Sequence, residues 1–207
     1  MQLHRRIGVF GGAFDPPHRA HVAMAAAAID QLALDRLWVV PTGHAWHKAR
    51  PLSDGHHRLA MAKLAFSGLS RVQVTDLELK RSGPSYTADT LQTLQSQDRL
   101  PSTEDEWFLL MGADQAAAFH TWKRQDEILK RARLAVARRS TRSADPVDVQ
   151  AHFSWPVVVI EMPLDPISST IVRAQLTQID GMPADQPILD ESVARYIAQH
   201  NLYQDTK

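Results

Sequence analysis

The 207-residue chain is 44% hydrophobic and 22% charged and has no cysteine. Such a composition can bury a core unaided, and it excludes a disordered chain, a disulfide scaffold, a thiol nucleophile and a Cys-based metal site. Lys plus Arg and Asp plus Glu both number 23, for a net charge of zero, which argues against a nucleic-acid partner but not against a local anion pocket.

The predicted elements alternate. β-rich apolar runs occur at Ile7–Phe10, Leu37–Val40, Val72–Leu79, Trp107–Met111, Leu134–Ala137 and Val157–Met162. Between them lie stretches of helical spacing at His21–Leu34, Arg58–Phe66, Thr87–Leu100, Ala116–Arg131, Ser169–Ile179 and Glu191–His200. This pattern predicts an α/β fold, a Rossmann-like doubly wound parallel sheet with helices on both faces. A single domain is expected over 1–207, with a C-terminal helical part, about 165–205, packed on it. Ser140–Ser154 is polar and weakly patterned. No apolar run reaches bilayer length, and Met1–Arg6 lacks the apolar stretch of a signal peptide. The expectation is a soluble cytoplasmic protein with no membrane partner. A homo-oligomer is left open.

In such sheets ligands bind where strands end and loops lead into helix starts. The first such loop is Gly11-Gly12-Ala13-Phe14-Asp15-Pro16-Pro17-His18-Arg19-Ala20-His21. Its glycines permit a tight turn, and its prolines end the strand pattern and fix the entry to the helix. His18 and His21, at i and i+3, share a face of the first helical turn. A helix start favours anions, and the two imidazoles can donate to phosphate oxygens. A plain βα turn and a zinc pair are the competing readings, although no third ligand stands nearby at a familiar spacing. The Walker and Gly-x-Gly-x-x-Gly patterns are absent.

The last loop is Pro166-Ile167-Ser168-Ser169-Thr170-Ile171-Val172-Arg173. Its hydroxyls suit an N-cap, and Arg173 stands where a guanidinium can grip phosphate. The first loop resembles the Gly-x-Phe-Asp-Pro-x-His-x-Gly-His motif of the nucleotidyltransferase superfamily, with Ala20 where Gly is usual. Ile-Ser-Ser-Thr-x-x-Arg is similar to that superfamily's second signature, in the form found in nicotinate- and nicotinamide-nucleotide adenylyltransferases. The resemblance extends from about Gly8 to Tyr203, where the closing segment 193–203 resembles the family's last helix.

The middle loops point to the nicotinate-nucleotide adenylyltransferases. Pro41-Thr42-Gly43-His44-Ala45-Trp46-His47-Lys48 resembles the family's Pro-Asn-x-x-Pro-Pro-His-Lys loop, with Thr42 for Asn and Trp46 for Pro. Ser85-Tyr86-Thr87 opens a helix, with Thr87 read as its N-cap; in the family this segment binds a pyridine carboxylate through backbone amides. Gly112-Ala113-Asp114 ends a strand, where a carboxylate suits a ribose. Trp122 offers a flat surface for an aromatic base, or packs helix onto sheet. Arg138 ends the fifth strand without a clear role.

The resemblance implies transfer of the adenylyl group of ATP to nicotinate mononucleotide, with Mg²⁺ held mainly by the phosphates and no metal ligands from the protein. It implies catalytic roles for His18, His21, Lys48 and Arg173. ATP would meet Gly12, Ala13, Phe14, His18, His21, His47, Lys48, Gly112, Asp114, Ile167, Ser168, Ser169 and Arg173. The mononucleotide would meet Thr42, Tyr86, Thr87 and Trp122. The competing readings are another phosphate acceptor, such as nicotinamide mononucleotide or phosphopantetheine, a non-catalytic nucleotide-binding regulator, and a metal hydrolase.

Overall fold

The computed structural model describes residues 4–43, 52–98, 105–140, 155–163, 165–177 and 188–204. Six strands form one sheet: β1 (Arg6–Gly12), β2 (Arg36–Pro41), β3 (Val72–Val74), β4 (Glu106–Gly112), β5 (Arg133–Ser140) and β6 (Val157–Pro163). All neighbours run parallel, in the order β3-β2-β1-β4-β5-β6. The expected fold is therefore present. Successive side chains of a strand point to opposite faces, and both faces here are apolar. In β4, Trp107, Leu109 and Met111 join one buried cluster while Phe108 and Leu110 join the other.

Helices cover the two faces unequally. On the Phe108 face lie α1 (Arg19–Gln31), α2 (Gly55–Ala65), α6 (Ser169–Leu176) and α7 (Glu191–Gln199), anchored by residues such as Met24, Met61, Val172 and Val193. On the Trp107 face lie α3 (Thr87–Gln97), α4 (Ala113–Ala117) and α5 (Gln125–Arg131), anchored by Leu91, Ala116 and Ile128. From β1 the chain winds outward to β3, then returns to lay β4 beside β1 and winds the other way. This reversal makes the crevice between the ends of β1 and β4 the place where a ligand fits.

Three expectations need correction. The strand expected over Val72–Leu79 stops at Val74. Val39 pairs with Val74, so the register carried forward puts Pro41 opposite Asp76, and proline has no N–H to extend the ladder. The chain turns instead, with Lys80 N–H bonded to Asp76 O at 3.1 Å. The helix expected over Ala116–Arg131 is broken into α4, a 3₁₀ turn at Phe119–Thr121, and α5. Trp122 is extended there, and Arg124, with φ +60°, is left-handed. The N-cap of α3 is Tyr86, and Thr87 is its first helical residue. Of the polar segment 140–154, Ser140 belongs to β5 and the rest lies outside the described residues.

Gly8 shows how tightly the sheet centre is packed. A Cβ there would stand 2.7 Å from Cδ1 of both Leu34 and Leu37, and 3.3 Å from that of Leu110. The neighbours are side-chain ends that shift only at a cost, and overpacking of this kind costs about 1–3 kcal/mol. Gly8→Ala is expected to lower the urea midpoint by that amount of stability with an unchanged m-value; a midpoint equal to the parent's would contradict the packing.

Candidate active site

The first loop leaves β1 at Gly11 and Gly12. A Cβ on Gly11 or Gly112 would meet nothing within 4 Å, whereas on Gly12 it would lie 3.0 Å from the Phe14 ring. Gly112 ends β4, so the crevice has open space above both strand ends. Phe14 is buried in a left-handed conformation, φ +48°, with its ring edge-on to Phe10 at 5.3 Å and to Phe66 at 5.7 Å. An aromatic side chain holds this unfavourable backbone only where packing over-determines it. The loop is thus wedged from below.

His18 is the N-cap residue of α1, in extended conformation and 5% exposed. Its backbone N–H donates to Nδ1 of His21 at 3.2 Å, and the two rings lie 3.8 Å apart. The expected pair is therefore formed. Because Nδ1 of His21 accepts, its neutral ring carries the proton on Nε2.

The last loop docks beside the first. Nε of Arg19 donates to Asp165 at 2.8 Å, Oγ of Ser169 donates to Pro16 O at 2.9 Å, and Nη1 of Arg173 donates to Asp15 O at 2.6 Å. The starts of α1 and α6 are brought together by these contacts. Ser168 is the N-cap, its Oγ accepting from Ile171 N–H at 3.3 Å, and Ile167 is buried in the core. The Ser168 hydroxyl caps the helix, as expected, and the Ser169 hydroxyl joins the two loops. Of the first-turn N–H groups, that of Arg19 donates to Ile188 O at 3.1 Å, that of His21 to His18 O at 2.9 Å and that of Ile171 to Ser168 Oγ; the remaining ones have no acceptor within their helix. Burial pushes the Asp165 carboxyl up, but Arg19, the Ile167 N–H and His18 together hold it below the usual range.

Beneath the loop lies a polar network that sequence reasoning missed. Asp15 is 1% exposed. Its Oδ1 accepts from the Tyr203 hydroxyl at 2.6 Å and its Oδ2 from Ser53 N–H at 3.3 Å. Arg58, 3% exposed, donates from Nε to Ser53 O at 2.8 Å and from Nη1 to Ala13 O at 3.0 Å and Thr42 O at 2.7 Å. Burial lowers the Arg58 guanidinium, with Asp15 the foremost charge opposing that. Burial and the bond to Asp15 push the Tyr203 hydroxyl up, so it stays a donor. Glu78 is also buried: it accepts from Thr90 Oγ1 at 2.7 Å and from Gly43 N–H at 3.3 Å, and burial raises its carboxyl. Glu78 thus joins the exit of β2 to α3. Beside it an open cleft of about 830 Å³ is lined by residues including Gly43, Gly55, Arg58, Glu78 and Lys80.

A second set of expected residues gathers at the start of α3. Tyr86 and Thr87 are half-buried there. Trp122 is half-buried, tilted against Phe119 at 5.5 Å. Arg124 is bonded to Asp89 on the first turn of α3 and to Glu127 at 2.7 Å, which ties the Trp122 segment to that helix start. Asp114 is exposed on the first turn of α4. Thr42 is half-buried, its N–H bonded to Gly12 O at 2.8 Å. Arg138 pairs with Glu161, its register partner on β6. His47 and Lys48 lie outside the described residues. Among the described residues no group of three or more His, Cys, Asp or Glu is placed to hold a metal ion, and no helix is long and apolar enough to cross a membrane.

Comparison with known proteins supplies the family. The cytidylyltransferase-like family model matches residues 9–175. A protein of Albidiferax ferrireducens named "Probable nicotinate-nucleotide adenylyltransferase" is 47% identical over 205 residues, covering 97% of this chain and 98% of its own. One of the same name from Bacillus licheniformis is 33% identical, covering 97% and 99%. In fold, the chain is similar to nicotinic acid mononucleotide adenylyltransferase of Plasmodium falciparum complexed with NaAD, with a TM-score of 0.74, 22% identity, and coverage of 97% and 98%.

The Arg19–Asp165 pair carries a pH signature. The folded Asp165 pKa lies below its unfolded value, near 3.9, so the pair stabilises above that value and the stability is lost as pH falls through the folded one. The urea midpoint of Asp165→Asn should trail the parent's at pH 7, with the gap closing on acidification below about pH 4. A gap independent of pH would show that the charge contributes nothing.

Proposed function

The chain belongs to the nicotinate-nucleotide adenylyltransferases of the cytidylyltransferase-like family, and we infer from this what its paired helix starts do. It transfers the adenylyl group of ATP to nicotinate mononucleotide, releasing pyrophosphate and giving the deamido form of NAD in NAD biosynthesis. The observation that carries the residue-level reading is the joining of the α1 and α6 starts over the crevice between β1 and β4.

In this reading the α1 and α6 starts bind the phosphates of ATP. His18 and His21 donate from their rings, His21 from Nε2. Arg173, anchored to Asp15 O, brings its charge to the same group. Gly12, Ala13, Phe14, Ile167, Ser168 and Ser169 contribute backbone, since the Phe14 and Ile167 side chains are buried. Gly112 and Asp114 take the adenosine side, with the Asp114 carboxylate toward the ribose. His47 and Lys48 reach the leaving phosphates. Thr42, Tyr86, Thr87 and Trp122 take the mononucleotide: the α3 start faces the pyridine carboxylate and Trp122 the ring.

The chemistry needs no general base, because the mononucleotide phosphate is already largely ionised at neutral pH. One of its oxygens bonds to the α-phosphorus of ATP as the bond from that phosphorus to the bridging oxygen breaks, and the electron pair leaves with pyrophosphate. In-line placement lowers the barrier. Donors aimed at the departing oxygens stabilise the charge that builds there. The donors gathered at the helix starts are N–H groups and imidazoles, which suit phosphate oxygens; a Mg²⁺ bound with ATP would be held by the phosphates and would offset their charge. The absence of cysteine fits a cytoplasmic setting.

Pyrophosphate release with ATP and Mg²⁺ is expected with nicotinate mononucleotide, and far less with nicotinamide mononucleotide. Equal rates would make the α3 start permissive, and silence with both would remove the assignment. His18→Ala should lower kcat by about 10²–10³-fold, as for loss of a donor to developing charge, with a small change in KM; a variant at full kcat would sink that role. Trp122→Ala should raise KM for the mononucleotide about tenfold or more, as for a lost stacking surface of 1–3 kcal/mol. An unchanged KM would leave Trp122 as core packing alone.

A further inference from the structure

Arg58 is a buried arginine, 3% exposed. A buried cation carries a desolvation penalty that an apolar side chain would avoid, so its bonds indicate why it is there. They run to the carbonyls of Ala13, Thr42 and Ser53. Ala13 lies in the loop that reads as the ATP side. Thr42 opens the loop after β2, on the mononucleotide side. Ser53 precedes α2 and in turn donates its N–H to Asp15, which also accepts from Tyr203.

The guanidinium is a planar fork of five donors on a rigid head. With Nη1 shared between Ala13 O and Thr42 O, one nitrogen fixes how far apart the two loops stand. An ammonium in its place keeps the charge and loses the fork. Tyr203 holds the far end of the same network from a strained position, φ +62°, which a tyrosine keeps only when surrounding contacts impose it.

We propose that Arg58 is a positioning residue for adenylyl transfer, setting the spacing between the ATP loop and the acceptor loop; the proposal rests on the adenylyltransferase reading of the site. It acts through the two loops, its hydrogen bonds all running to main-chain carbonyls. Its contribution is the alignment of the attacking phosphate with the α-phosphorus, and a misplacement of about 1 Å there lowers the rate on the order of 10²-fold.

The test is steady-state kinetics of the whole protein, varying ATP and nicotinate mononucleotide in turn, for the parent, Arg58→Lys and Tyr203→Phe, at a temperature well below the unfolding of each. Arg58→Lys is expected to lose about 10–100-fold in kcat with each KM within about threefold of the parent. Tyr203→Phe, linked to Arg58 through Asp15 and Ser53, is expected to lose kcat in the same sense but less. A lower melting temperature with parental kcat would overturn the proposal, because Arg58 would then only hold the fold. A rise in either KM with kcat kept would also overturn it. Should Arg58→Lys fail to fold, Tyr203→Phe decides: reduced kcat at constant KM supports the positioning role, and parental kcat removes it. A parent silent with every acceptor overturns the adenylyltransferase reading itself and the proposal with it, an outcome distinct from active parent and unaffected variants.

Discussion

The carboxylate of Asp15 is the constraint on which the site depends. A carboxylate taken out of water is tolerable only when its oxygens are bonded and a counter-charge is near. Asp15 meets both conditions with groups from distant parts of the chain: the Tyr203 hydroxyl beyond α7, the Ser53 N–H ahead of α2, and the Arg58 charge within α2. Its own carbonyl takes Arg173 of α6. None of these partners can leave without exposing the others' unsatisfied groups, and each such loss costs about 1–3 kcal/mol. The first loop is consequently held from inside the protein.

That arrangement divides the work between sheet and loops. The sheet supplies a crevice by reversing direction between β1 and β4, which is a matter of topology alone. The helix starts supply positive potential, which any βα connection has to some degree. The buried network adds placement: it sets the start of α1 against the start of α6, and the exit of β1 against the exit of β2. A reaction without a general base relies on such placement, since its barrier falls mainly through alignment and charge stabilisation.

The parts legible in the sequence were those encoded locally. Apolar runs at Ile7–Phe10 and Trp107–Met111 are buried on both faces, so they read as parallel strands, and the His18–His21 pair lies within one helical turn. The parts that were not legible depend on distant partners. Arg58 looks like any charged residue near a helix start, and its acceptors are main-chain carbonyls, which have no sequence signature. Glu78 sits in a run whose alternation suggests strand, and only the pairing of that run beside Pro41 shows that it turns and buries the carboxylate. Tyr203 could be seen as part of the closing segment, but its bond to a residue 188 positions earlier could not. The break at Arg124 escaped helical periodicity because the charges around it read equally well as a solvated helix face, and the deciding contact is with Asp89 on another helix.

The two histidines bear on the competing readings of the first loop through a single hydrogen bond. A zinc ligand must offer a lone pair, and a phosphate contact must offer a proton. In His21 the lone pair of Nδ1 is directed at the His18 backbone N–H, which fixes the neutral tautomer with hydrogen on Nε2. The other nitrogen of that ring, Nε2, is therefore a donor. Binding zinc through it would require the ring to give up the bond at the helix start, whereas binding a phosphate oxygen would use the ring as it stands. The bond that begins α1 thus leaves the ring suited to an anion, as the proposed reading requires, at the helix end where the backbone already favours negative charge.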